Sequence, residues 1–193
     1  MERPRYQLKT APAFDPVSTD EIKHNLRITT TDFDTLIGEL IDYVIESVQA
    51  NIGRQIARAT YYAYLDGYPD GDEMEITLGP VATITSIKYY APGSSELTEF
   101  SSSKYQLDNT ELTARIRFLE SFQTDTEKMN AVVIEFTNGY ADANSVPKNI
   151  KDALVLLVSE RYLNPDNRML NFGVSIRQSA AERLLRNYRV QRY

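Results

Sequence analysis

The sequence predicts an α+β protein, a small helical bundle whose chain is interrupted by an antiparallel, β-rich insertion. Three observations lead there. Between Phe33 and Ile52 the apolar residues recur every three or four positions without a break. Between Arg54 and Asn138 the rhythm changes to short β-branched and aromatic runs separated by turn residues. After Pro147 the helical rhythm returns. Strands inserted between helices give an α+β arrangement with a discontinuous helical part.

Taken in order, residues 1–16 hold three prolines and little periodicity, and read as an extended arm that is ordered only where it docks. A short helix is expected over about 18–27. Ser18 and Glu21 form a capping box, and Ile22 and Leu26 face inward. A second helix, about 32–53, starts at a cap supplied by Asp32 or Asp34 and ends at Gly53. Six strands follow in ATYYAYLDGY, MEITLG, ATITSIKYYA, KYQLD, ARIRFL and AVVIEFTNG, divided by YPDGDE, APGSSE, DNTE and QTDTEK. The third helix, about 147–163, has Ser145 as a candidate cap and Pro147 in its first turn. A last helix is expected over about 179–188, with Ser179 and Glu182 as a second capping box, after Pro165 and Gly173 stop regular structure. The domain reading is therefore an arm (1–16), a helical domain (17–53 with 145–183), a β-rich insertion (54–144) and a tail (184–193).

The third helix is the hub. Ile150, Ala153, Leu154, Leu157 and Val158 make one apolar face, and Val155 and Leu156 fill the gaps. A helix apolar nearly all round must be covered on more than one side. Burying six such side chains is worth roughly 9–18 kcal/mol gross. Leu154, Val155, Leu156, Leu157 and Val158 are therefore core residues, ring-interface residues, or both.

At 193 residues with 42% apolar and 25% charged side chains the composition is that of a globular protein. No run approaches the length of a membrane span, and the N-terminus lacks a signal peptide's apolar core. The net charge of −6 argues against a protein that coats nucleic acid. Five arginines and one glutamate between Arg177 and Tyr193 give that stretch +4, which leaves −10 for the rest. An acidic body with a basic tail points the tail at an acidic partner, or at nothing more than solvent and the helix dipole.

Catalytic chemistry finds little footing. One histidine, His24, and no cysteine exclude a zinc site or a Cys–His pair. Asp66, Asp70, Asp72, Glu73 and Glu75 are the one dense carboxylate cluster, but they lack calcium-loop spacing and flank a Pro69-Asp70-Gly71 turn. The glycines are isolated, so no phosphate loop exists. The expectation is a protein that is no enzyme and uses no cofactor or metal. Thirteen tyrosines are present, and Tyr61, Tyr62, Tyr64, Tyr68, Tyr89 and Tyr90 crowd the strands. Such residues suit sheet faces and interfaces alike. They leave a ligand- or carbohydrate-binding module as the alternative function.

The order of these segments resembles the head–tail connector (adaptor, head-completion) proteins of tailed bacteriophages. PVSTDEIKHNLRI, the helix DFDTLIGELIDYVIESVQANIGR, ATYYAYLDGYP, GPVATITSIKYY, FTNGYADANSVPKNIKDALVLLVSERYLN and the terminal LLRNYRVQRY carry the resemblance, from about Pro16 to the last residue. It implies one subunit of a twelve-membered ring fixed beneath the portal protein. Such a ring extends the channel for DNA, without sequence-specific binding, and offers its far side to a stopper or tail-completion protein. Its place would be the virion neck, reached from the host cytoplasm during assembly, and a gene-transfer particle would use the same part. The resemblance further implies that the tail docks into the portal through Leu184, Leu185, Tyr188, Arg189, Arg192 and Tyr193. Deleting residues 184–193 is then expected to abolish attachment while the protein stays folded.

Overall fold

The computed structural model describes residues 4–165 and 176–190, and for 176–179 the backbone alone. The fold is α+β, with four helices and two antiparallel sheets among those residues. The chain divides into two compact units, one of residues 1–13 with 58–140 and one of residues 14–57 with 141–193.

The first unit holds all the strands: β1 (Arg5–Thr10), β2 (Ala59–Leu65), β3 (Glu73–Ile76), β4 (Val81–Tyr90), β5 (Leu97–Phe100), β6 (Tyr105–Asp108), β7 (Ala114–Phe118) and β8 (Val132–Asn138). One sheet runs β1-β2-β8-β4-β5 and the other β3-β7-β6, every pairing antiparallel. Period-two alternation is plain in β8, where Val132, Ile134, Phe136 and Asn138 are buried and the residues between them are half-buried. Ala63, Leu65, Ile87, Ile134 and Phe136 of the larger sheet share one core with Met74, Ile76, Ile116 and Phe118 of the smaller. Phe122 closes it, its ring centroid 4.4 Å from that of Tyr89 and 4.8 Å from those of Phe100 and Tyr68.

Two of these strands were not expected. Residues 5–10, within the stretch read as an extended arm ordered only where it docks, do dock: they pair along β2 with Tyr6 opposite Ala63 and Gln7 opposite Tyr62. The Tyr6 ring lies edge-on to Phe136 at 6.0 Å, and its hydroxyl accepts from the Thr77 N–H at 3.1 Å. LTEF, which directly follows the APGSSE turn and was assigned no element, forms β5 on the outer side of β4 and buries Phe100 alone. Gly79 has no freedom to vary, since a Cβ there would lie 1.8 Å from the Leu112 carbonyl oxygen.

The second unit holds α1 (Thr19–Leu26), α2 (Asp34–Ile52), α3 (Lys148–Leu163) and α4 (Ile176–Leu185). The capping box forms as expected: Glu21 N–H donates to Ser18 Oγ at 3.2 Å and Ser18 N–H to Glu21 Oε2 at 2.7 Å. Gly53 ends α2 at φ +69°, a left-handed residue where L side chains are strained. The other expected caps give way to competing bonds. Phe33 occupies the N-cap of α2 with no side-chain bond, while Asp34 Oδ1 accepts from Lys23 Nζ at 2.7 Å. Pro147, not Ser145, is the N-cap of α3. Ser145 Oγ instead donates to the Asp142 carbonyl at 2.8 Å, and Asp142 Oδ1 accepts from the N–H groups of Asn144 and Ser145. The last helix begins three residues before Ser179, so Ser179 stands inside it rather than at a cap. Gly173 lies outside the described residues.

Ile37, Ile41, Val44, Val48 and Ile52 of α2 are buried, as are Ile150, Ala153, Leu154 and Val158 of α3. Asn25 Nδ2 donates to the buried Ser159 Oγ at 2.8 Å, and Lys151 pairs with Glu21 at 3.3 Å. These polar contacts tie α1 to α3 alongside the apolar ones.

Candidate interaction surfaces

Helix α3 packs against α1, α2 and α4, whereas α2 and α4 make no comparable contact with each other. That accounts for a helix apolar nearly all round. Of the five hub residues named above, Leu154 and Val158 are fully buried, and Val155, Leu156 and Leu157 are half-buried. The first pair belongs to the core, and the other three retain accessible surface.

The C-terminal segment is partly built into the fold. Ala181 and Leu185 face inward, Leu185 with only 4% of its surface exposed, and Leu184 is half-buried. A 3-10 turn follows at Arg186–Tyr188. Arg54, itself buried, donates through Nε to the Tyr188 carbonyl at 2.8 Å, and the Val190 N–H donates to the Ile52 carbonyl at 2.8 Å. The Val190 side chain sits so close over Gly53 that a Cβ there would meet it at 3.3 Å. Tyr188 is half-buried, Arg189 is exposed, and Arg192 and Tyr193 lie outside the described residues. Removing residues 184–193 would thus take out a core side chain together with the tail.

The tyrosines divide between locations. Tyr61, Tyr68 and Tyr89 pack against the β core with Tyr6 and Tyr105, and burial with an Asp72 hydrogen bond pushes the Tyr68 hydroxyl up to about 12. Tyr62 and Tyr64 alternate with the buried residues of β2, with ring centroids 6.0 Å apart; Lys9 lies over Tyr62, and the Tyr64 hydroxyl donates to Gln7 Oε1 at 2.9 Å. Lys128 lies 4.2 Å over the Tyr90 ring. The six residues read as one crowd do not form one platform.

The carboxylate cluster is likewise dispersed. Asp66 accepts from Arg5 and from the Asn130 N–H, Asp72 from Tyr68, and Glu73 lies 3.8 Å from Arg117. No group of three or more His, Cys, Asp or Glu among the described residues is placed to hold a metal ion. His24 is exposed in the last turn of α1. No described helix is long and apolar enough to cross a membrane.

Two features of the helical unit went unmarked in the sequence. Phe33 and Leu36 remain exposed although they belong to the repeat that fills the core, and Tyr43 is exposed on the side of α2 away from the buried residues. An open cleft of about 420 Å³ is lined by Asp15, Ser18, Gly38 and Asp42 among others. There, partial burial and the neighbouring Asp42 carboxylate raise the Asp15 carboxyl above its ordinary value.

No protein-family model matches the sequence, and no curated protein matches it. Solved structures do. A chain in the neck of an empty gene transfer agent particle, computed with C6 symmetry, aligns with TM-score 0.80 at 19% identity over 98% of this chain and 97% of that one. This chain shares that chain's fold. A chain of the native gene transfer agent virion aligns at TM-score 0.77 and 19% identity, over 97% of this chain and 96% of the other. A chain of the native neck computed with C12 symmetry aligns at 0.73 and 18%, over 98% and 97%.

Proposed function

We propose that the chain is a structural head–tail connector of a phage-like particle. Copies form a ring beneath the portal protein, twelve to a ring, which lengthens the DNA channel and presents a stopper or tail-completion protein with its docking face. One observation carries this reading: the fold matches chains of gene transfer agent necks along nearly the whole of both chains. The protein acts by binding and symmetry, at the virion neck after assembly in the host cytoplasm.

The physical chemistry fits that role. An acidic body releases no counterions from DNA and so lets it slide past. The tail anchors in an acidic groove of the portal, with Arg189 and Arg192 as planar donors and Tyr188 and Tyr193 supplying area. Leu185 serves this anchor from inside, by fixing α4, while Leu184, Tyr188, Arg189, Arg192 and Tyr193 supply contact.

The test is binding to the portal protein encoded with this chain. A variant lacking residues 191–193 and carrying Arg189→Glu is expected to lose portal binding while its circular dichroism and melting temperature stay unchanged. Undiminished binding by that variant would refute the anchor.

A further inference from the structure

Helix α2 carries Asp34, Glu39, Asp42 and Glu46 and not one lysine or arginine. Asp34 is paired with Lys23, but none of the ion pairs among the described residues reaches Glu39 or Glu46. Helical spacing sets Leu36, Glu39, Tyr43 and Glu46 on one stripe, turned away from the buried Ile37, Ile41, Val44 and Val48. Leu36 is 45% exposed and Tyr43 is 54% exposed, so the stripe alternates apolar area with negative charge. Leu36 and Tyr43 supply apolar and aromatic contact area, and the two glutamates suit a charged rim around it.

The complementary surface lies on the same unit. Ala181 and Leu185 turn α4 inward, which leaves Arg183 exposed on its outside, and Arg186, at the start of the 3-10 turn that follows, is exposed as well. Because α3 packs against both α2 and α4 while those two share little contact, the acidic–apolar stripe and the arginine face occupy separate flanks of α3. A molecule with complementary faces on two flanks associates head to tail, and such heterologous contacts generate rings when the rotation closes.

We infer that the Leu36–Glu39–Tyr43–Glu46 stripe of one copy receives the Arg183–Arg186 face of the next. The occupant is a second copy of this chain, which rests on the ring reading above and names the seam by which that ring closes. Leu36 and Tyr43 cover the aliphatic stems of the arginines, and Glu39 and Glu46 take their guanidinium groups. Tyr43 is held for this by Arg161 of its own chain, 5.1 Å over its ring. The arrangement uses Arg183 and Arg186 for the neighbour and leaves Leu184, Tyr188, Arg189 and the residues beyond them for the portal.

Charge reversal on each flank tests it, read by sedimentation velocity of the full chain. Glu39→Lys with Glu46→Lys makes both faces basic, and Arg183→Glu with Arg186→Glu turns the other face acidic. Each variant alone is expected to self-associate roughly tenfold or more weakly than the parent. An equimolar mixture of the two is expected to recover association, because every stripe then meets a face of opposite charge. All substituted positions are exposed, and an unchanged melting temperature shows that folding is intact. Association of both variants equal to the parent's would overturn the seam and leave the ring standing. A parent chain that stays monomeric at all concentrations would overturn the seam as a self-sufficient contact, and the portal-binding result above stands apart from it.

Discussion

The main-chain N–H of Val190 donates to the Ile52 carbonyl at 2.8 Å, so the end of the described chain satisfies an acceptor that the C-terminus of α2 would otherwise leave open. Two residues away the Arg54 guanidinium holds the Tyr188 carbonyl. The segment read as a free tail therefore has a fixed root. Replacing Arg54 by Leu is expected to cost about 1–3 kcal/mol in denaturant unfolding, since it removes a buried charged donor and strands its acceptor. Deleting residues 191–193 should leave unfolding unchanged, whereas deletion from residue 184 onward should cost roughly 2–5 kcal/mol through loss of Leu185.

The hub helix should respond to substitution in two ways. Leu154→Ala is expected to destabilise the protein by about 2–5 kcal/mol, because its side chain is fully buried and the cavity would persist. Leu156→Ser, at a half-buried position, should cost about 1 kcal/mol or less. Chemical denaturation of the two variants compares them directly. Equal costs would contradict the division of roles along α3.

Strand β1 gives a prediction for the other unit. Tyr6→Ala removes an aromatic contact to Phe136 and the hydroxyl that accepts from Thr77, and should cost about 2 kcal/mol or more. Hydrogen exchange would show the effect as faster exchange along β2, whose edge β1 covers.

Two carboxylates of the helical unit should give opposite pH behaviour. Glu21 is held below its ordinary value chiefly by the Ser18 N–H, with Lys151 adding to it. Its contribution to stability is present above the unfolded value, near 4.3, and is lost as pH falls through the lower folded value. Asp15 is raised by burial and by Asp42, so its folded form binds the proton more tightly than the unfolded chain does. Its contribution is full below the unfolded value, near 3.9, and is lost as pH rises through the folded one. Asp15→Asn is therefore expected to raise the melting temperature at pH 7 and not at pH 3. Glu21→Gln should lower it at pH 7 and flatten the acid side of the profile.

Much of this architecture was legible in the sequence because it rests on local signals. The repeat from Phe33 to Ile52, the Ser18–Glu21 box and Gly53 are patterns within a few residues of one another, and the structure has all three. Strand β1 was not legible. RYQLKT buries only part of Tyr6, and its pairing partner lies more than fifty residues away. Ser145 had the right residue type for a cap, but Asp142 competed for its hydroxyl and the capping position passed to Pro147. At the interaction surfaces the charge asymmetry of the C-terminal stretch was plain, while its fixed root was not. Main-chain bonds from Val190 and to Tyr188 leave no mark on residue type. The acidic–apolar stripe of α2 was hidden for a different reason: Leu36 belongs to the same repeat as the residues that fill the core, yet it is exposed.

Cryo-electron microscopy of the neck of particles assembled with this chain tests the central claim most directly. The account predicts a closed ring of density directly beneath the portal into which this fold fits, one copy per repeat. Particles whose necks are complete and tailed when the gene for this chain is deleted would contradict it.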